Sequence, residues 1–209
     1  YAMRRNGSEL HRLSPLAATG AISELAFSPD GRRVVYRGDL EVDGLSEIWS
    51  VAPWESAASA VKLNGALTGA GALYFRVPET GSRLAYVAET AGGRQAWSVP
   101  FEGPAASGVR LDPATEGDEQ LYTVLFRPDG AHLAIQFADG VANTGRIFTV
   151  PVGGPSTAAI LLADEIPGGC LPFVSDFTPD SSHLVFLGFC PPAMTVSQIW
   201  RWPATCASA

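Results

Sequence analysis

The densest run of chemically capable side chains is Asp39-Leu40-Glu41-Val42-Asp43-Gly44-Leu45-Ser46-Glu47. Its carboxylates fall at relative positions 1, 3, 5 and 9, with glycine at position 6. Alternate spacing can aim several oxygens at one point, and the glycine permits a sharp turn between them. Calcium takes roughly six to eight oxygen ligands from flexible loops of this kind. Asp39, Glu41, Asp43 and Glu47 are therefore the candidate metal ligands, with calcium as the ion. The same run also reads as a plain acidic turn between two strands, holding no metal, and no other segment repeats it.

Other reactive residues are sparse. The three cysteines are Cys170, Cys190 and Cys206, with no C-x-x-C or Cys/His spacing of a zinc site. Gly153-Gly154-Pro155-Ser156 does not make a nucleophile elbow, and Gly69-Ala70-Gly71 lacks a third glycine and a strand–helix setting. No H-E-x-x-H or phosphate-binding loop is present, and the three histidines lie far apart in sequence. No catalytic residue and no resident cofactor are expected.

The elements that must position these residues come from an internal repeat, the signature to seek first. Four segments align: ISELAFSPDGRRVVYRGD then SEIWSV; ALYFRVPETGSRLAYVAE then RQAWSV; LYTVLFRPDGAHLAIQFAD then GRIFTV; VSDFTPDSSHLVFLGF then SQIWRW. Their turn prolines, Pro29, Pro78, Pro128 and Pro179, are spaced by 49, 50 and 51 residues. Aromatic residues Trp49, Trp97, Phe148 and Trp200 follow these prolines by 20, 19, 20 and 21 residues. Short apolar runs between turn signals read as strands, four to a unit: A before the proline, B after it, C with the aromatic, and a variable D such as Ala60 to Leu63. In Pro-Asp-Gly, proline presets φ, aspartate bonds back to the backbone and glycine accepts positive φ.

The pattern F-S-P-D-G followed by x-I-W-x-V resembles the TolB-like propeller repeat, also called PD40 or WD40-like. It is most faithful at Phe27-Ser28-Pro29-Asp30-Gly31. The second unit departs with Pro78-Glu79-Thr80-Gly81, read as one extra turn residue, and the fourth with Pro179-Asp180-Ser181-Ser182. The resemblance implies an all-β chain: a β-propeller of about four four-stranded blades, forming a closed ring or part of a larger propeller. It forms a single domain over 1–209, with repeats near 16–64, 65–112, 113–163 and 164–209. Residues 1–15 are expected to give outer strands to a preceding or a closing blade. The acidic run is similar to the calcium hairpins of integrin-type propellers, with Glu at two of the four acidic positions. TolB-like repeats also carry a related turn that binds no metal.

Within this frame a basic residue opens each strand B: Arg33, Arg83, His132 and His183. They form an arc on one face, read either as a surface for an acidic partner or as turn residues paired with Asp30, Glu79, Asp129 and Asp180. The strand-C aromatics are expected in the core between blades. Trp54 and Phe101, just beyond strand C, read either as candidates for contact with a partner or as packing on the next blade. Cys170 precedes strand A and Cys190 ends strand B of the fourth unit, which sets them on one face and predicts a disulfide. Three reduced thiols are the alternative.

Composition narrows the partners. At net charge −7, with 14 Lys+Arg among 209 residues, the chain has no general attraction for phosphate backbones, so nucleic acid is not expected. No run of about 18 apolar residues spans a membrane. The expectation is a non-enzymatic binding or scaffold module that engages a protein or small ligand through its loops or channel. A second copy or neighbouring domains would complete the ring. The alternatives are a propeller gating a prolyl-oligopeptidase-like serine hydrolase domain, and an architectural domain of an envelope protein. Cysteine usage and an Ala/Gly/Pro-rich, lysine-poor bacterial composition point to a periplasmic or extracellular location.

Overall fold

The computed structural model describes residues 10–15, 20–115, 118–139, 144–163, 171–190 and 196–204. The chain divides into two compact units, Tyr1–Val77 with Gly81–Val109, and Pro78–Thr80 with Arg110–Ala209. No helix among the described residues is long and apolar enough to cross a membrane.

In the first unit, sheet one consists of β1 (Ile22–Phe27), β2 (Val34–Gly38), β3 (Glu47–Val51) and β4 (Val61–Lys62), and sheet two of β5 (Ala72–Arg76), β6 (Arg83–Thr90), β7 (Gly93–Pro100) and β8 (Val109–Arg110). In the second, sheet three consists of β9 (Gln120–Phe126), β10 (His132–Asp139), β11 (Thr144–Pro151) and β12 (Ile160–Ala163). Sheet four has three strands among the described residues, β13 (Leu171–Phe177), β14 (His183–Cys190) and β15 (Val196–Pro203), one fewer than the repeat predicts. Every sheet runs in sequence order, and the strand pairings are antiparallel.

The second strand of each sheet reads as a continuous apolar run because it is covered on both faces. Val34-Val35-Tyr36 and Leu84-Ala85-Tyr86-Val87-Ala88 are buried without alternation. Each sheet has a near face, bearing Val34, Tyr36 and Trp49 in sheet one, and a far face, bearing Val35, Ile48 and Ser50. The far face of sheet one shares a core with the near face of sheet two: Val35, Ile48 and Leu63 cluster with Phe75, Leu84, Tyr86 and Val99. In the second unit, Ala134, Ile147 and Leu162 of sheet three cluster likewise with Phe177, Leu184 and Phe186 of sheet four. Full burial of one such side chain stabilises the fold by about 1.5–3 kcal/mol.

Register aligns the repeats more closely than the prolines do. Ala26 pairs with Val35, Arg76 with Ala85, Leu125 with Ala134 and Asp176 with Val185, all with the same separation. The second repeat therefore has no extra turn residue. Its proline stands one place earlier, and Gly81 keeps the positive φ of Gly31. Two features lay outside the sequence reading. A single 3-10 turn precedes the outer strand of the first three sheets, at Ala57–Ser59, Ala105–Ser107 and Ser156–Ala158. The innermost strand of every sheet carries a register shift, between Ile22 and Glu24 in β1 and between Ala72 and Tyr74 in β5.

Ahead of sheet one, Leu13 is buried against Val34, Tyr36, Trp49 and Val51, and the Tyr36 hydroxyl donates to the Leu13 carbonyl at 3.4 Å. Leu13 thus does for sheet one what Leu63, just after β4, does for sheet two.

Candidate functional site

In sheets one, three and four the turn between the first two strands is a closed local device. In sheet one the Ser28 hydroxyl donates to Asp30 Oδ1 at 2.6 Å and accepts from the Arg33 amide at 2.9 Å. The Arg32 amide donates to the same Asp30 oxygen at 3.0 Å. Sheet four repeats this with Thr178, Asp180, Ser182 and His183, at 2.6 Å from Thr178 Oγ1 to Asp180 and 3.0 Å from the His183 amide to Thr178 Oγ1. In sheet three Arg127 replaces the hydroxyl residue and reaches Asp129 through its guanidinium, with Nε at 2.7 Å. These bonds favour ionised carboxylates. The Ser28 hydroxyl and then the Arg32 amide lower the Asp30 carboxyl, and the Ser182 and Thr178 hydroxyls lower that of Asp180.

The basic residues beside these turns are half-buried, and they bond elsewhere than to the turn acids. Arg33 donates to the Ser50 hydroxyl at 2.9 Å and to its carbonyl at 3.2 Å. Arg83 donates to Ser98 Oγ at 3.1 Å, to the Ser98 carbonyl at 3.0 Å and to the Ser107 carbonyl at 3.1 Å. His132 lies 2.8 Å from an Arg127 nitrogen, and burial and then that guanidinium lower its pKa. His183 Nδ1 lies 2.7 Å from the Ser182 hydroxyl. The arginines lock strand B to strand C within their own sheets. Their serine partners went unnoticed in the sequence, although Trp49-Ser50, Trp97-Ser98 and Phe148-Thr149 repeat an aromatic–hydroxyl pair. With histidine at 132, the Thr149 hydroxyl is buried without a hydrogen-bond partner.

The acidic loop joins β2 to β3 and turns its carboxylates toward donors of the chain. Asp39 accepts from the Ala21 amide at 2.6 Å and from the Gly44 amide at 3.2 Å, and these bonds lower its pKa. Glu47 is buried and accepts from the Glu41 amide at 3.1 Å. The only lysine, Lys62, sits between Glu41 at 2.7 Å and Glu47 at 2.5 Å, with its ammonium 5.7 Å from the centre of the Trp49 ring. Asp43 is exposed. Among the described residues, no group of three or more His, Cys, Asp or Glu side chains is placed to hold a metal ion. Lys62, missed as a partner of this loop, already provides Glu41 and Glu47 with a cation.

The aromatics fall into two classes. Trp49 and Phe148 are buried, while Trp97 and Trp200 are half-buried against their sheet clusters. Beyond strand C, Trp54 is 62% exposed. Phe101 is a correction: it is 4% exposed and belongs to the core it shares with Leu63 and Val99. Phe101 and Trp54 are not equivalent. Phe101 aligns with Pro53, the first turn residue, and its amide donates to the Ser82 carbonyl at 3.1 Å. Val152 and Ala204 make the same bond in sheets three and four. That residue is folded under the turn, and the next one, Trp54 in sheet one, points away. Cys170, Cys206 and the side chain of Cys190 lie outside the described residues, and with them the expected disulfide.

Four antiparallel meanders built on one repeat, with apolar faces packed against each other inside each unit, find counterparts among solved structures. Oligopeptidase B from Leishmania major matches with a TM-score of 0.62 at 14% identity, over 90% of this chain and 25% of that one. A putative TolB from Agrobacterium tumefaciens matches with a TM-score of 0.53 at 17% identity, over 85% of this chain and 57% of that one. A chain of the nidogen/laminin complex matches with a TM-score of 0.50 at 15% identity, over 80% and 57%. The fold is a β-propeller. Its sheets are propeller blades, numbered one to four below. The chain spans a quarter of the oligopeptidase and somewhat over half of the other two chains. No protein-family model matches the sequence, and no curated protein matches it.

Proposed function

We propose that this propeller segment is a non-enzymatic binding module that presents one end of its blades to a protein partner. The observation that carries this reading is the exposure of Trp54, 62%, in a chain whose strand-C aromatics are packed into the blades. The β1–β2 and β3–β4 turns leave blade one at the same end. That end therefore also carries Arg32, whose side chain is 74% exposed. Tryptophan and arginine dominate binding hot spots, because each couples a large contact area to a directed donor. The likeness to a chain crystallised in the nidogen/laminin complex supports a protein partner. A periplasmic, envelope or extracellular location belongs to the same proposal, supported by the TolB and nidogen likenesses.

The test is affinity capture from source-organism extract on immobilised chain, with Trp54→Ala and Arg32→Glu as paired controls. A protein retained by the wild type and lost by both variants supports the reading. Identical retention by all three would count against it. The likeness to oligopeptidase B favours a second reading, a propeller that gates a serine hydrolase. A captured partner that reacts with a fluorophosphonate probe would select that one.

A further inference from the structure

Exposure compared position by position across the four blades singles out two faces. On the far face, Ile48, Ala96 and Ile147 occupy the same register position and are each 0% exposed, whereas Ile199 of blade four is 78% exposed. On the near face, Phe75 and Val124 are 2% and 1% exposed, whereas their equivalent in blade one, Leu25, is 65% exposed. Phe177 is 5% exposed and its equivalent Phe27 is 56% exposed. Blade one thus has an uncovered near face at its inner strand, and blade four an uncovered far face.

The fold itself states what covers such faces. Within each unit, the far face of one blade packs on the near face of the next. The outer part of blade one's near face already holds Leu13, in the role that an outer-strand leucine plays elsewhere. The inner part of that face, with Leu25 and Phe27, is where the three inner strands of a preceding blade would pack. Blade four has three strands among the described residues, with no outer one among them. The two faces are complementary halves of one joint.

We propose that a second copy of this chain covers them. Blade four of one copy stacks on the near face of blade one of another and accepts its Leu10 to Pro15 segment as a fourth strand. Arg201, exposed on the far face of blade four, is compatible with this packing. Arg33 and Arg83 place guanidinium groups at the corresponding corner of blades one and two, against Ser50 and Ser98. The contact is head-to-tail, so each copy contributes a different surface.

The test is the mass in solution of the 209-residue chain by sedimentation velocity at about 50 µM, with two variants. One is Ile199→Glu, the other Leu25→Glu with Phe27→Glu. All three positions are exposed, so each variant keeps its fold, checked by circular dichroism. The expected wild-type mass is at least twice that of the 22.0 kDa chain. Each variant alone sediments as a monomer, and a mixture of the two regains a one-to-one pair, since one intact near face then meets one intact far face. A monomeric wild type, an assembly that either variant leaves intact, or a mixture that stays monomeric would each overturn the proposal. None of these outcomes bears on Trp54, which is tested separately.

Discussion

Ser181 holds the backbone position that Gly31 holds in the first turn, with φ of 62° against 69°. Gly130 fills the same place in blade three at 67°. A side chain in this left-handed region crowds its own carbonyl, at a cost of about 1 kcal/mol. Ser181→Gly is therefore expected to stabilise the chain by about 0.5–1 kcal/mol, seen as a rise of about 2 °C in the melting midpoint. Gly31→Ala should move it the other way.

Thr149 carries a buried hydroxyl without a partner, at the position where Ser50 and Ser98 receive arginine donors. Valine has the same shape and no polar group to desolvate. Thr149→Val should raise stability by about 1 kcal/mol. A urea midpoint that falls would show that the hydroxyl is satisfied, for example by water.

Lys62 compensates Glu47, whose side chain is 1% exposed. Removal of the lysine strands a carboxylate inside blade one. Lys62→Met should cost about 2 kcal/mol, less than a fully enclosed pair because the lysine is itself partly exposed. The double variant Lys62→Met with Glu47→Gln should recover most of the loss in chemical denaturation.

With Lys62 seated between Glu41 and Glu47, the acidic loop already has its counter-charge. Millimolar calcium is expected to leave the melting midpoint unchanged, and calorimetric titration to register no binding heat. A rise in midpoint with calcium and not with magnesium would mean that the loop rearranges to take the ion.

The turn carboxylates set the acid limit of stability. Asp30, Asp39, Asp129 and Asp180 all have folded-state pKa values below their ordinary 3.8. For Asp129, burial is the largest single influence and acts upward, but the Arg127 side-chain bond, the Ala131 amide and the nearby cationic groups together outweigh it. A lowered folded pKa means that the unfolded chain binds protons first. The stabilisation is complete above the ordinary aspartate value and is lost as pH falls through the lower folded values. Melting midpoints should begin to fall below about pH 6.5, where the unfolded chain takes up the His132 proton first, and fall steeply below about 4 as the carboxylates follow. Asp180→Asn should blunt that slope.

The repeat, its strands and the Ser-Pro-Asp turns were legible in the sequence because each depends on residues within a few places of one another. Ser28, Asp30 and Gly31 build their turn locally. The partners of Lys62 lie 21 and 15 residues away, and become neighbours only when β4 pairs with β3. Phe101 and Trp54 looked alike because both follow strand C. Which one folds inward depends on where the Ser82 carbonyl closes the turn, a matter of register between strands. The shifts in the innermost strands left no mark, since one extra residue leaves an apolar run apolar.

Every sheet is ordered β1 to β4, β5 to β8, β9 to β12 and β13 to β15, with no crossover from one to the next. Each pairing partner is thus made within a few dozen residues of its mate. On the ribosome, a meander can close while the following one is still unsynthesised, which shortens the time its edges stay open to the wrong neighbour. Because the four meanders share one pattern, that protection matters. A strand released late could pair with the same strand of another repeat, and order of birth is what tells identical partners apart.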